Sequence, residues 1–313
     1  MTRRILLCEP RGFCAGVDRA IDIIDQLVCS SDETVYVRKE IVHNRHVVEA
    51  FKKRGVVFID DVEEAPESAL VVFSAHGISP DVRRRARQRR QRTIDATCPL
   101  VTKVHREVHR FVRDGYSVLL IGHAGHEEVE GTLGQVPGSL ILVQDEKDAW
   151  TVSVPDEQRV AVVTQTTLSL GETREIVAIL KARFPLLAEP RHGDICYATE
   201  NRQGAVRTLA AVCEAVIVVG SANSSNSRSL RAAAEECGTR AYLVDDPAAL
   251  EIGWFEGVPT LGVTAGASSP EALVQNIIER IRIIEPEYSV IERFGTAEPE
   301  IVFRPPPELA EYV

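Results

Sequence analysis

The chain repeats itself three times, and each copy opens on a cysteine. Phe13-Cys14-Ala15-Gly16-Val17-Asp18-Arg19, Thr97-Cys98-Pro99-Leu100-Val101-Thr102-Lys103 and Ile195-Cys196-Tyr197-Ala198-Thr199-Glu200-Asn201-Arg202 begin alike. In each, the cysteine stands where a helix starts. Pro99 suits a first helical turn, and a thiolate at a helix N-terminus gains from the dipole and the unpaired N–H groups. A strand follows, ending in a polar tip: Val42-His43-Asn44, Gly122-His123-Ala124-Gly125-His126-Glu127-Glu128 and Gly220-Ser221-Ala222-Asn223-Ser224-Ser225-Asn226. His43 lies 29 residues past Cys14, His126 28 past Cys98, and Ser224 28 past Cys196. A second strand and tip then follow, at Ser74-Ala75-His76-Gly77, Thr164-Gln165-Thr166-Thr167 and Thr264-Ala265-Gly266-Ala267-Ser268-Ser269. Ser79, Ser169 and Ser269 are placed to cap the next helix in each copy.

Short Val-, Ile- and Leu-rich runs at 34–38, 69–73, 117–121, 160–163, 215–219 and 260–263 are predicted strands. Alternating with helical segments, they predict parallel sheets covered on both faces. The expected fold is α/β: three similar lobes with small parallel sheets, arranged with pseudo-threefold symmetry around a central cavity. Residues 1–96, 97–193 and 194–284 form the three lobes, and 285–313 form a C-terminal extension. The repeat does not tie the strand within 1–13 to the first lobe. Pro305-Pro306-Pro307 predicts an extended segment across the lobes or against the cavity mouth.

Seven cysteines without a CxxC pair exclude a zinc ribbon or thioredoxin-like site, and an odd number is poor material for disulfides. No apolar run approaches the roughly 20 residues that span a bilayer. The stretch Met-Thr-Arg-Arg-Ile-Leu-Leu-Cys is too short for a signal peptide, so the chain is expected in the cytoplasm, away from membranes. A formal charge of −10 excludes nucleic acid as a partner. Arg83, Arg84, Arg85, Arg87, Arg89, Arg90 and Arg92 run against that balance. They form either a solvated helix face or a docking patch for an acidic protein.

Cys14, Cys98 and Cys196, gathered by the repeat, suit an iron–sulfur cubane with one iron lacking a protein ligand. Zinc held by three cysteines and a water is the competing assignment, which spacing alone does not separate. Cys8, Cys29, Cys213 and Cys237 hold no equivalent repeat position and are read as small apolar residues. His43, His76, His126, Thr166, Thr167, Ser224, Ser225, Asn226, Ser268 and Ser269 are neutral donors at the tips, fit to hold a phosphate or diphosphate without a P-loop. Among Glu127, Glu128 and Glu130, one is placed to deliver a proton, and spacing does not choose between Glu127 and Glu128. His46, His105, His109, His123 and His192 lack repeat support and are read as surface or structural.

With these residues assembled, the sequence resembles the 4-hydroxy-3-methylbut-2-enyl diphosphate reductase family of the methylerythritol phosphate route to isoprenoids. The matching stretches run in order from Pro10-Arg11-Gly12-Phe13-Cys14 through Asp95-Ala96-Thr97-Cys98, Thr164-Gln165-Thr166-Thr167, Asp194-Ile195-Cys196 and Ser224-Ser225-Asn226 to Thr264-Ala265-Gly266-Ala267-Ser268. The resemblance implies a 4Fe-4S cluster on Cys14, Cys98 and Cys196 with one open iron. It places an allylic diphosphate among His43, His76, His126, Ser224, Ser225, Asn226 and Ser268. Glu128 and Thr166 are implied in proton delivery, with His126 and Thr167 beside them. The reaction implied is a two-electron reductive dehydroxylation to isopentenyl and dimethylallyl diphosphate, with electrons from a ferredoxin or flavodoxin. Where the family usually reads His-Pro-Glu, this chain reads His126-Glu127-Glu128. Two alternatives remain at this stage: a zinc-dependent hydrolase of a phosphorylated small molecule, and a cluster-based redox sensor acting through the Arg83–Arg92 helix.

Overall fold

The structure is a computed structural model that describes residues 3–312; Met1, Thr2 and Val313, which the lobe, extension and N-terminal readings include, lie outside the described residues. The strands are β1 (Arg3–Glu9), β2 (Val35–Arg38), β3 (Val57–Ile59), β4 (Leu70–Phe73), β5 (Arg92–Asp95), β6 (Ser117–Ile121), β7 (Leu140–Val143), β8 (Val160–Thr164), β9 (Ala215–Val219), β10 (Arg240–Val244), β11 (Thr260–Ala265) and β12 (Tyr288–Gly295). The α-helices are α1 (Ala15–Ser30), α2 (Arg45–Lys53), α3 (Pro80–Gln88), α4 (Pro99–Arg113), α5 (Glu127–Leu133), α6 (Glu146–Thr151), α7 (Leu170–Arg183), α8 (Tyr197–Ala210), α9 (Ser225–Glu235) and α10 (Glu271–Ile284). None is long and apolar enough to cross a membrane. The chain divides into two compact units, residues 3–14, 43–47 and 197–301, and residues 15–42, 48–196 and 302–312.

The first unit is a five-stranded parallel sheet in the order β10-β9-β11-β1-β12. Strand β1 shows why it belongs there: Ile5 and Leu7 pack on one face with Leu273, Ile277 and Ile281 of α10. Leu6 and Cys8 pack on the other face with Val206 and Leu209 of α8 and Leu230 of α9. Each such buried Leu or Ile contributes about 1.5–3 kcal/mol. A side chain at Gly262 would lie 2.8 Å from Leu209, so that glycine lets α8 seat on β11. The strand that the repeat left unassigned therefore closes the third sheet, between β11 and β12.

The second unit holds two smaller parallel sheets, β3-β2-β4-β5 and β7-β6-β8. Val71 and Phe73 of β4 meet Val82 and Ala86 of α3. Leu119 and Ile121 face α7 through Ile176 and Leu180, while Val118 and Leu120 face α4 through Val104 and Val108. The expected α/β class with small parallel sheets is what forms.

Four local expectations need correction. Ser79 and Ser169 cap α3 and α7, but α10 begins after Pro270 without a side-chain cap, because the Ser269 hydroxyl donates to Val219 O at 2.8 Å. Pro306 is extended, at φ −67° and ψ 143°, but Pro307–Glu311 turns as a 3₁₀ helix. Cys29 and Cys237 are exposed rather than packed, whereas Cys8 and Cys213 are buried. Finally, the arginine run is not one helix: α3 ends at Gln88 and Arg92 opens β5, while Arg83 pairs with Asp95, Arg84 with Asp81, Arg85 with Asp61 at 2.6 Å and Asp81 at 3.1 Å, and Arg92 with Glu33.

Candidate functional site

In the first unit the polar tips after β9 and β11 meet. Ser224 caps α9, its Oγ accepting from Ser227 N at 3.3 Å, and lies 3.4 Å from Ser268 Oγ. Ser268 Oγ in turn donates to His43 O at 3.1 Å. The Asn226 carbonyl oxygen accepts from Ala267 N at 2.8 Å, and its amide donates to Thr199 Oγ1 at 3.2 Å. Ser225 is buried in the first turn of α9. The Ser224 and Ser268 hydroxyls, the Asn226 amide and the His43 backbone carbonyl, far apart in sequence, are thus brought together by the ends of β9 and β11. Hydroxyls and amides of this kind present donors to anionic oxygens without an internal counter-charge.

In the second unit the tips after β4, β6 and β8 meet. His126 caps α5, its Nδ1 accepting from Glu128 N at 3.2 Å. That bond fixes the tautomer, so the His126 proton sits on Nε2. Glu128 is 3% exposed. Its carboxylate accepts from Thr166 N at 2.7 Å and Thr166 Oγ1 at 3.0 Å. Glu127 does something else: its carboxylate lies 3.1 Å from His76 Nδ1 and 3.3 Å from Ser74 Oγ. The geometry separates two acids that spacing left equivalent, one placed to hold a proton beside a hydroxyl and one to orient a histidine. Glu130 is exposed and outside this group. Thr167 Oγ1 accepts from the Gln165 amide at 3.1 Å, and the Gln165 carbonyl oxygen accepts from His123 N at 3.2 Å, so His123 belongs to the loop's scaffold.

The cysteines sort by environment. Cys98 is the N-cap of α4, its N–H donating to Ala75 O at 3.0 Å. Cys196 directly precedes α8, its N–H donating to Thr166 O at 3.0 Å. Cys14 ends a turn in which Gly12 takes φ +67° and donates to Ala265 O at 3.2 Å. All three are half-buried, and none is in a disulfide. Burial pushes the Cys8 and Cys213 thiols up to about 11 and about 12, which keeps them protonated. Three thiols opening helices are the soft donor set that an iron–sulfur centre requires, so these residues fit such a group.

Sequence reasoning missed the supports of these turns. Asp95 accepts from Thr97 N at 2.9 Å and from Thr97 Oγ1, bracing the turn before Cys98. Asp194 does the same before Cys196, accepting from Thr164 N at 3.2 Å and pairing with Lys103 at 3.3 Å. Burial raises the Asp194 carboxyl to about 6 against the opposing pull of Lys103. The signal was an aspartate two or three residues ahead of two of the cysteines.

The family described as LytB protein matches residues 5–282. A 4-hydroxy-3-methylbut-2-enyl diphosphate reductase from Hahella chejuensis is 51% identical over 310 residues, covering 98% of this chain and 97% of that protein. One of the same name from Nocardia farcinica is 52% identical over 308 residues, covering 98% and 91%. Among solved structures, the E-1-hydroxy-2-methyl-but-2-enyl-4-diphosphate reductase from Plasmodium falciparum matches with a TM-score of 0.95 at 34% identity, covering 99% of this chain and 98% of that one. The chain belongs to the LytB protein family.

Proposed function

We propose that this chain reduces 4-hydroxy-3-methylbut-2-enyl diphosphate to isopentenyl and dimethylallyl diphosphate, the last step of the methylerythritol phosphate pathway. Two electrons and two protons enter, the allylic C–O bond breaks, and water leaves. The observation that carries the reading is the buried Glu128–Thr166 pair, a proton store next to a hydroxyl. With Glu128 ionised, Thr166 donates to it. With Glu128 protonated, the bond reverses and the Thr166 hydroxyl donates onward to the substrate's hydroxyl. Thr167 and His126 lie alongside. The diphosphate is held by neutral donors from His43, His76, His126, Ser224, Ser225, Asn226 and Ser268.

Cys14, Cys98 and Cys196 are the ligands we assign to a 4Fe-4S cluster with one open iron. When bound, such a cluster supplies electrons singly and a Lewis-acidic iron that weakens the C–O bond. Its electrons come from a ferredoxin or flavodoxin, and the reaction belongs to the cytoplasm. Anaerobic reconstitution followed by iron and sulfide counting tests the assignment together with turnover of the allylic diphosphate under a reduced dye. Roughly four irons and four sulfides per chain with turnover is the expected outcome. A colourless chain holding one zinc and turning over a phosphorylated substrate by hydrolysis overturns it.

A further inference from the structure

Each repeat carries a cation one turn or slightly more into the helix that its cysteine opens: Arg19, Lys103 and Arg202 lie five, five and six residues past Cys14, Cys98 and Cys196. Each reaches the turn ahead of another repeat's cysteine. Arg19 donates to Thr97 O at 3.1 Å and Asp95 O at 3.3 Å, the backbone just ahead of Cys98. Lys103 donates to His192 O and Gly193 O and pairs with Asp194, just ahead of Cys196. Arg202 donates to Gly12 O at 2.9 Å and Phe13 O at 3.1 Å, just ahead of Cys14. Each cation serves the next repeat's cysteine, and the third serves the first.

Two of the clamps also have an acid: Asp194 pairs with Lys103 at 3.3 Å, and Glu298 with Arg202 at 3.1 Å. Arg202 is the most demanding of the three. Its side chain is 1% exposed, a burial that a guanidinium tolerates only with its donors satisfied. Three carbonyl groups and a carboxylate satisfy them: Gly12, Phe13 and Ala198, with Glu298.

We infer that Arg19, Lys103 and Arg202 are positioning residues that hold the three cysteine-bearing turns in metal-ready geometry. They also set a positive charge five or six residues past each assigned ligand, on the helix that the ligand opens. The inference rests on the ligand assignment above, but its structural half stands without any metal. A carbonyl held by a cation is restrained, and with it the peptide planes of the cysteine-bearing turn.

The test is amide hydrogen exchange on the full-length chain, before and after anaerobic reconstitution, for Arg19→Met, Lys103→Met and Arg202→Met. The reporters are the bonded amides of Gly12, Cys98 and Cys196. Arg19→Met is expected to accelerate exchange at 95–98 by roughly tenfold or more while leaving 12–14 within twofold. Lys103→Met is expected to do the same at 192–196 and spare 98, and Arg202→Met at 12–14 and spare 196. After reconstitution each variant is expected to hold less iron and show a more negative cluster midpoint potential, with Arg202→Lys and Lys103→Arg recovering both in part. Glu298→Gln, which leaves the buried arginine in place, is expected to loosen 12–14 to a lesser degree and serves if Arg202→Met does not fold. Equal acceleration at all three turns, or at the variant's own cysteine alone, overturns the inference. Wild-type protein that takes up no iron overturns the ligand assignment instead.

Discussion

Thr166 gives Glu128 two donors, the backbone N–H at 2.7 Å and the hydroxyl at 3.0 Å. The two residues come from the end of β8 and the first turn of α5, so the pair exists only because two parallel strands, β6 and β8, end side by side. A carboxylate gripped this way has one orientation, and the hydroxyl beside it has one acceptor on that side. On the function proposed above, the pair is a proton donor with its direction built in.

Glu128→Gln keeps the shape of that group and removes its proton. The turnover number is expected to fall by about 10²–10⁴ with little change in KM. Glu127→Gln acts on His76 and is expected to raise KM more than it lowers kcat. Steady-state kinetics of the two variants side by side decide whether the acids are as distinct as their partners.

Asn226→Ala removes an acceptor that holds Ala267 N and a donor to Thr199. An unpaired buried partner costs about 1–3 kcal/mol. The expected result is a KM for the diphosphate raised by roughly tenfold or more, while Asn226→Asp, which sets a negative charge against the substrate, weakens it further. Titration of inorganic diphosphate against each variant reads the same loss without turnover.

Cys14→Ser, Cys98→Ser and Cys196→Ser are each expected to lose iron and activity together. Cys29→Ser and Cys237→Ser, on exposed positions, are expected to retain both. Iron counted per chain after reconstitution separates the two sets.

Burial of His105 adds to the acid sensitivity of the fold. The residue is 9% exposed, and burial holds its imidazole at about 4 instead of the usual 6.5. The unfolded chain therefore takes up the proton first. This contribution is complete above about pH 6.5 and drains away as pH falls toward 4, by about 3 kcal/mol. Asp194 runs the other way, because a carboxyl raised to about 6 contributes most below about 4 and loses that contribution as pH climbs through 6. The expected result for His105→Gln is a flatter fall in urea midpoint between pH 6.5 and 4 than the wild type shows.

The repeat made much of this legible because it lies at element ends, where helix capping and strand termination restrict which residues serve. Six strands were visible as apolar runs, and Ser117–Ile121 and Ala215–Val219 match their predicted bounds. Strands β3, β5, β7 and β10 were not, being short or carrying charged residues such as Arg92 and Asp95. The pairing of β1 with β11 and β12 was hidden for a different reason: parallel neighbours some 250 residues apart leave no local trace. Ser269 misled because its hydroxyl finds a carbonyl on β9 before it finds a helix N–H.

That same pairing orders events in time. Strand β1 waits for β11 and β12, the last two strands of its sheet to be made, and stays unpaired until they emerge. The turn bearing Cys14 leans on Ala265 and on Arg202, both made late. The other two cysteines sit in a unit whose sheets close among nearer neighbours. On the ligand assignment proposed above, metal loading waits for the strands that pair with β1, and a nascent chain that lacks them has one ligand turn unsupported.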